Sequence, residues 1–217
     1  MMTDFDLLNN YRRLRCIKRC NNFPTTHPED VAQHSYYTAL LTLTLSKEYN
    51  KAVETHNEQY HPLDAENIKQ KIIIGNAVLK ALFHDIEESF TSDIPWNVKH
   101  HDSKIEQEMR RCVVAILNEE FTDTLSYQKQ LTIDAKEGLE GEMVQLADML
   151  EGAWYCYEEI LVGNSTLQDL LVKYLLLVRE TYIHTVLYSN STLYKSMYDT
   201  FYQASIGNVV NPIWSLE

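Results

Sequence analysis

The chain has 217 residues, 31 of them acidic against 19 Lys and Arg, for a formal charge of −12. That balance excludes a protein that grips nucleic-acid polymers by their phosphates, which takes a basic surface, although a local cationic pocket for one small phosphate stays compatible with it. With 45% hydrophobic residues, 23% charged, and few Gly and Pro (6 and 5), the composition is globular and argues against collagen-like segments, long repeat arrays and turn-rich all-β folds.

The length suits a single domain spanning residues 1–217, mostly helical. No apolar run approaches the ~20 residues of a membrane span; the longest, 167–178, is interrupted by Gln168, Asp169, Lys173 and Tyr174. The N-terminal residues are acidic where a secretory leader is basic and then apolar, so the expected location is cytoplasmic. Cys16, Cys20, Cys112 and Cys156 lack the two-residue spacing of zinc or redox motifs and are expected as reduced, mostly buried thiols.

In chain order, Phe5, Leu8, Tyr11, Leu14 and Ile17 predict an amphipathic helix over 4–20, with Arg12, Arg13, Arg15, Lys18 and Arg19 on its other face. A loop over 21–28 leads to a second helix starting near Pro28-Glu29-Asp30 and running through Val31, His34, Thr38, Leu41 and Leu45. Residues 50–63 read as a polar loop. Asp64 is the expected N-cap of a third helix reaching about Glu88, with Ile68, Ile72, Leu79 and Leu82 inward. A loop over 89–101 precedes a fourth helix over 103–120. Acidic, Gly-containing sequence near 134–141 leads into a fifth helix over 142–162, ended by Gly163-Asn164-Ser165. A sixth is expected over 166–188 and a short seventh over 191–204.

Polar groups interrupt three of these apolar faces. His34 falls in line with Val31, Thr38, Leu41 and Leu45; His84-Asp85 closes the apolar run 72–83; Asp148 sits inside Met143–Leu150. A buried carboxylate costs several kcal/mol or shifts its pKa unless it is paired or metal-bound. Taken singly, each position has an ordinary structural explanation. Together, two imidazoles and two carboxylates on three helices form a mixed nitrogen and oxygen set of the kind that helix bundles build from inward-facing side chains. Such a set suits one divalent ion of the Mn, Fe, Co or Zn class.

The order of His34 in Glu29-Asp30-Val31-Ala32-Gln33-His34-Ser35, then His84-Asp85, then Asp148 in Leu146-Ala147-Asp148 resembles the HD-domain metal-dependent phosphohydrolases. More closely, the chain is similar to the bacterial HD-domain 5'-deoxynucleotidases (YfbR-like), on Arg19 fifteen residues before His34, His84-Asp85-Ile86-Glu87-Glu88, Thr91-Ser92-Asp93-Ile94-Pro95, Val98-Lys99 and Ala147-Asp148. The likeness is strongest over about 5–160 and thins over the C-terminal helices, 166–205. It implies an all-α, single HD-type helical bundle with a central divalent-metal site, and removal of the 5'-phosphate from (deoxy)nucleoside 5'-monophosphates. By the same resemblance His34, His84, Asp85 and Asp148 would be the metal ligands, Glu88 and Asp93 catalytic carboxylates, and Arg19 and Lys99 the substrate phosphate's partners. Glu88 lies one turn beyond His84 if the helix persists, on the same side. It would take a proton from the attacking water or orient that water, while Asp93 would protonate the leaving oxygen or hold the sugar. The other His residues (His27, His56, His61, His100, His101 and His184) are expected at the surface or in loops.

Two residues depart from the family pattern. Cys20 stands where relatives often carry Trp near the sugar, which leaves the choice between deoxyribose and ribose open. Ser92-Asp93 replaces a common Gly-Asp; the change is expected to affect only loop flexibility, since Ser tolerates turn positions other than those with positive φ. The resemblance also implies a homodimer, to which Tyr174, Tyr182, Tyr188, Tyr194, Tyr198 and Tyr202 could contribute, although a plain core explains them equally. Nucleoside triphosphates or a signalling nucleotide are alternative substrates for the same ligand set. A non-catalytic metal-containing nucleotide sensor is the alternative of a different class, which the presence of Glu88 and Asp93 argues against.

Overall fold

The computed structural model describes residues 4–60, 65–94, 103–120 and 126–207. Their elements are α1 (Asp4–Tyr11), α2 (Val31–Asn57), α3 (Ile74–Phe83), α4 (Glu88–Thr91), α5 (Ser103–Glu120), α6 (Ser126–Ile133), α7 (Gly138–Leu161), α8 (Gln168–Arg179), α9 (Tyr182–Asn190) and α10 (Thr192–Ser205), with 3₁₀ turns at Arg12–Cys16, Ala65–Asn67 and Ser165–Leu167. Among the described residues one isolated antiparallel bridge, Lys18 to Asp30, is the sole extended pairing. No helix among them is long and apolar enough to cross a membrane.

The long helices α2 and α7 pack together and carry the rest. Asp30 starts α2 with a capping box: its side chain accepts from Gln33 N–H at 2.9 Å while Gln33 Oε1 accepts from Asp30 N–H at 3.2 Å. The far half of α2 enters the main core through Leu45, Tyr49 and Val53, against Met143, Leu146 and Leu150 of α7 and the inner faces of α8, α9 and α10. A smaller cluster joins Ala39 of α2, Ala81 of α3 and Val144 of α7, small residues that let three helices approach closely next to the site.

Several boundaries differ from those expected. The helix predicted over 4–20 ends at Tyr11, tightens into a 3₁₀ turn, and gives way to extended chain. Hydrogen bonds from Arg19 N–H to Glu29 O (2.9 Å) and Val31 N–H to Ile17 O (3.0 Å) clip that segment to the start of α2. These backbone groups find partners outside a helix, so the amphipathic period is overruled. Phe5 and Leu8 are exposed, Asn10 is buried, and Leu14 is the first buried apolar residue among those described.

Residues 50–57, expected as loop, continue α2. Their polarity has a use: Asn50 exchanges two hydrogen bonds with the Ile72 backbone, and Asn57 two with Lys69, so both amides bracket an extended segment, 68–73. That segment replaces the first half of the third predicted helix. Ile72 is buried as expected, but Ile68 and Leu82 are exposed, and the inward residues of α3 are Ala77 and Ala81. Asp64, the expected N-cap, lies outside the described residues. Residues 89–91 belong to α4, within the predicted loop.

The sixth predicted helix is two, because Thr181 takes an extended conformation and accepts from His184 N–H at 3.1 Å, capping α9. Ser191 caps α10 in the same way. The thiols are all free, but Cys156 is the buried one; Cys20 is half-buried and Cys16 and Cys112 are exposed. Cys16 ends a short 3₁₀ turn and Cys112 lies on an outer face of α5, which the sequence spacing did not show.

The loop from Asn21 to Glu29 is fixed from α7. Glu159, buried, accepts from Thr26 N–H (2.7 Å), His27 N–H (2.6 Å) and Asn164 Nδ2 (2.6 Å). Tyr155 donates its hydroxyl to His27 O at 3.1 Å. These contacts set where Arg19 and Cys20 enter the site.

Candidate functional site

Three elements deliver polar side chains to one buried point. His34 comes from the first turn of α2, His84 and Asp85 from the turn that follows α3, and Asp148 from the middle of α7. His34 Nε2 lies 3.2 Å from His84 Nε2, 3.1 Å from Asp148 Oδ1 and 3.6 Å from Asp85 Oδ2. His84 Nε2 lies 3.1 Å from Asp85 Oδ2 and 3.9 Å from Asp148 Oδ1. Both imidazoles are fully enclosed.

The hydrogen bonds on the outer sides of the rings define what the inner sides present. His84 Nδ1 lies 2.7 Å from Ala81 O; a carbonyl only accepts, so Nδ1 carries the proton. His34 Nδ1 contacts the Glu151 carboxylate, which assigns its Nδ1 a proton too. Each neutral ring then offers an Nε2 lone pair inward, facing two carboxylate oxygens. Four acceptors brought together repel unless a cation lies between them. Ligands held ~2.0–2.2 Å from a first-row ion are themselves ~3–3.5 Å apart; the separations of 3.1, 3.1 and 3.2 Å fall in that span, and those of 3.6 Å (His34 to Asp85) and 3.9 Å (His84 to Asp148) exceed it.

The electrostatics agree. Burial and the Arg19 guanidinium both disfavour a charged His34, yet the Glu151 and Asp148 carboxylates outweigh them and push its pKa up to about 10. Burial also opposes ionisation of Asp85 and Asp148. His84, Lys136 and His34 overcome it at Asp85, and Lys136 with the two imidazoles does so at Asp148, holding both carboxyls well below the usual range. The cluster therefore calls for positive charge at its centre, and a metal ion competes with the proton for it.

Arg19 lies at the rim, with Nη1 3.6 Å from Asp85 Oδ2. Burial works against its charge, but Tyr174, Glu151, Asp148 and Asp85 raise its pKa well above normal. Lys136 also reaches the cluster, with Nζ 3.3 Å from Asp148 Oδ2. Gly141 permits this: a Cβ there would come within 2.3 Å of the Lys136 backbone.

Glu88 is buried, but the expected helix does not persist to it. Residues 84–87 form a turn in which Glu88 N–H bonds Asp85 O at 3.0 Å and Ser89 N–H bonds Ile86 O at 3.1 Å. In such a three-residue turn positions i and i+3 align, so Glu88 follows Asp85 rather than His84. Asp93 is half-buried outside the four-residue cluster. Burial raises the Cys20 thiol to about 11, with Asp93, Glu29 and Glu151 adding to the rise against Arg19, so Asp93 belongs to the Cys20 side of the site. Ser92 before it has φ +64 and ψ 169, the positive-φ case that Ser does not tolerate without strain, and the substitution of Ser for Gly therefore affects more than flexibility. Lys99, His100 and His101 lie outside the described residues, as does His61. His184, expected at the surface, is buried on α9 with Nδ1 2.7 Å from the Tyr194 hydroxyl.

Sequence reasoning missed Glu151, Glu29, Lys136 and Tyr174. Glu151 carried a signal, an acidic residue in an apolar stretch three positions after Asp148 and so on the same face. The others depend on chain approaches with no local pattern.

Comparison with known proteins gives a consistent picture. A family model described as 5'-deoxynucleotidase YfbR-like matches residues 6–197. A 5'-deoxynucleotidase of Vibrio vulnificus is 26% identical over 159 residues, covering 70% of this chain and 73% of the relative. The 5'-deoxynucleotidase YfbR of Escherichia coli is 26% identical, covering 70% and 72%. Among solved structures, an HD-domain phosphohydrolase from Listeria innocua superposes with a TM-score of 0.67 at 20% identity, covering 90% of each chain. The HD phosphohydrolase DatZ of cyanophage S-2L, bound to dA and one catalytic Zn²⁺ ion, superposes with a TM-score of 0.56 at 14% identity, covering 95% of this chain and 98% of that one. These two likenesses are likenesses of fold.

Proposed function

Since the chain belongs to the YfbR-like 5'-deoxynucleotidase family and is a nucleotide phosphohydrolase by that membership, we propose that it removes the 5'-phosphate from (deoxy)nucleoside 5'-monophosphates, giving nucleoside and inorganic phosphate. The observation that carries this reading is the convergence of His34, His84, Asp85 and Asp148, with Arg19 at the rim. The whole chain, 1–217, acts as one domain in this reading.

His34, His84, Asp85 and Asp148 would hold one divalent ion of the Mn, Co, Fe or Zn class. Such an ion, when bound, polarises a phosphoryl group and acidifies a water molecule. Arg19 binds the phosphate: its planar fork grips two oxygens, and its charge offsets what builds up on them as the bond to the 5'-oxygen breaks. The buried Glu88 takes the proton from the attacking water or orients that water. Asp93, beside Cys20, protonates the departing 5'-oxygen or holds the sugar. Lys99 is the second phosphate partner of the family pattern. Cys20 is a small side chain at the sugar end, so discrimination between deoxyribose and ribose is expected to be weak. We further assign the protein to the cytoplasm, as a homodimer to which the exposed Tyr182 and Tyr202 are candidate contacts.

The test is phosphate release by metal-stripped protein, with Mn²⁺, Co²⁺, Mg²⁺ or Zn²⁺ restored, across deoxy- and ribonucleoside mono- and triphosphates. Release from monophosphates that requires metal, and that Glu88→Ala abolishes while metal stays bound, is the expected result. Cleavage of triphosphates with silence on monophosphates would overturn the substrate assignment. Metal binding without turnover on any substrate would make the protein a sensor.

A further inference from the structure

The cluster accounts for the inner nitrogens of the two histidines, but their outer nitrogens are held by different kinds of group. His84 Nδ1 donates to a backbone carbonyl, Ala81 O, at 2.7 Å. His34 Nδ1 meets a buried carboxylate, Glu151, which is 4% exposed. Glu151 stands on α7 three residues after Asp148, so one turn of helix offers one carboxylate to the inner side of the His34 ring and another to its outer side. Its engaged oxygen is on Nδ1, turned away from the point where the four inward atoms meet; Glu151 therefore acts through the ring and does not add a fifth ligand. Glu29 is part of the same arrangement: a carboxylate oxygen of Glu29, a ring nitrogen of His34 and a carboxylate oxygen of Glu151 all lie within 4.8 Å of one another. The Arg19 backbone N–H donates to the Glu29 backbone carbonyl at 2.9 Å, which ties this outer layer to the segment that presents the guanidinium.

We propose that Glu151 is a positioning residue for His34, fixing the ring in the tautomer that turns its Nε2 lone pair to the metal, with Glu29 packed behind it. The idea rests on the metal reading of the four-residue cluster and names what that reading leaves out. Two physical consequences follow. A carboxylate on Nδ1–H makes the opposite nitrogen a better donor and spares the site the cost of choosing between tautomers on binding. A buried carboxylate with this partner removed would be left without its charge-assisted hydrogen bond, so Glu151 and His34 depend on each other even before a metal arrives.

The experiment compares wild type, Glu151→Gln and Glu151→Ala, with Glu159→Gln as a control for a buried glutamate on the same helix whose partners are all in the 26–27 loop and Asn164. Metal-stripped proteins are titrated with Zn²⁺ against a chelator of known affinity, and ¹⁵N-histidine spectra of the Zn²⁺-loaded proteins report how well the His34 Nδ1–H is protected from exchange with solvent. The expected result is a Zn²⁺ affinity lowered about 10–100-fold in Glu151→Ala, an intermediate loss in Glu151→Gln, whose amide oxygen still accepts from Nδ1–H, and a fast-exchanging Nδ1–H in the alanine variant. Glu159→Gln should lower the melting temperature while leaving Zn²⁺ affinity unchanged. If Glu151→Ala does not fold, the glutamine variant and its spectrum decide. Wild-type affinity together with an equally protected His34 Nδ1–H in the Glu151 variants overturns the positioning role. A wild type that binds no divalent ion instead overturns the metal reading on which the role rests.

Discussion

The first and last turns of α2 bury opposite chemistries against the same partner helix. Near its start, His34 is enclosed by Asp85, Asp148 and Glu151. About three to five turns later Leu45, Tyr49 and Val53 meet the apolar side of α7 and the C-terminal helices. At the apolar end each side chain contributes transfer and dispersion energy that depends weakly on its neighbours' identity. At the polar end every group is tolerable only because another group satisfies it. One region is built for stability; the other is a set of mutual dependencies that a cation would complete under the proposed function.

Leu150 and Asp148, two residues apart on α7, separate the two regimes most sharply. Leu150→Ala removes a fully buried core side chain and should cost about 2–5 kcal/mol of stability, equally with and without divalent metal. Asp148→Asn should instead abolish the metal-induced gain, which for wild type at a hundred times its Kd is about 2.7 kcal/mol. Thermal melts of both variants with and without Mn²⁺ or Zn²⁺ read this directly. An Asp148→Asn protein stabilised by metal as much as wild type would remove Asp148 from the site.

Gly152 sits where the two regimes meet. A Cβ there would lie 2.6 Å from the Tyr174 ring, whose hydroxyl influences Arg19. Gly152→Ala should cost about 1–3 kcal/mol through overpacking, read as a lowered urea midpoint. Adding Tyr174→Leu should return part of that loss, since residues in contact do not behave additively. Full additivity would mean that the close approach is not what limits the site.

The comparison also explains what the sequence could show. The helices that carry long apolar faces, such as α2, α5 and α7, were legible from periodicity, and His34, His84, Asp85 and Asp148 stood out because they break such faces. The extended segment 68–73 was not, since its partners are the amides of Asn50 and Asn57 about twenty and twelve residues earlier, a pairing with no period. The bend after Tyr11 escaped for the same reason, the backbone groups of Ile17 and Arg19 pairing with Val31 and Glu29 across a loop. Glu151 was legible in principle from its spacing to Asp148. Lys136 was not, because its approach depends on Gly141 admitting a backbone and not on any feature of Lys136 itself.

Ser92 offers a smaller test on the polar side. Its φ of +64 with ψ 169 lies in a region that costs a non-glycine residue about 1–3 kcal/mol, while glycine gives back roughly 0.5–1 kcal/mol in unfolded-chain entropy. Ser92→Gly should therefore stabilise the protein by about 1 kcal/mol in urea unfolding. A loss of stability would show that the serine side chain is used. Because Asp93 follows directly, the same variant is expected to change nucleotidase activity more than a surface substitution does.

The smallest expected effect belongs to the apolar side, at its single buried imidazole among the described residues of α8–α10. His184 packs between Tyr188 and Tyr198, with Nδ1 on the Tyr194 hydroxyl. Burial, aided by Arg179, lowers its pKa below the ordinary histidine value. The folded state therefore binds fewer protons than the unfolded one between those two values, and stability rises with pH across that window. The contribution is fully present above the ordinary histidine pKa and is lost as pH falls towards the lowered one. Unfolding of metal-stripped wild type and His184→Gln, followed from pH 7.5 to pH 5, should show a shallower decline in the variant. Parallel curves would mean that this aromatic block does not resist the charge, and that the contrast between the two ends of α2 rests on packing alone.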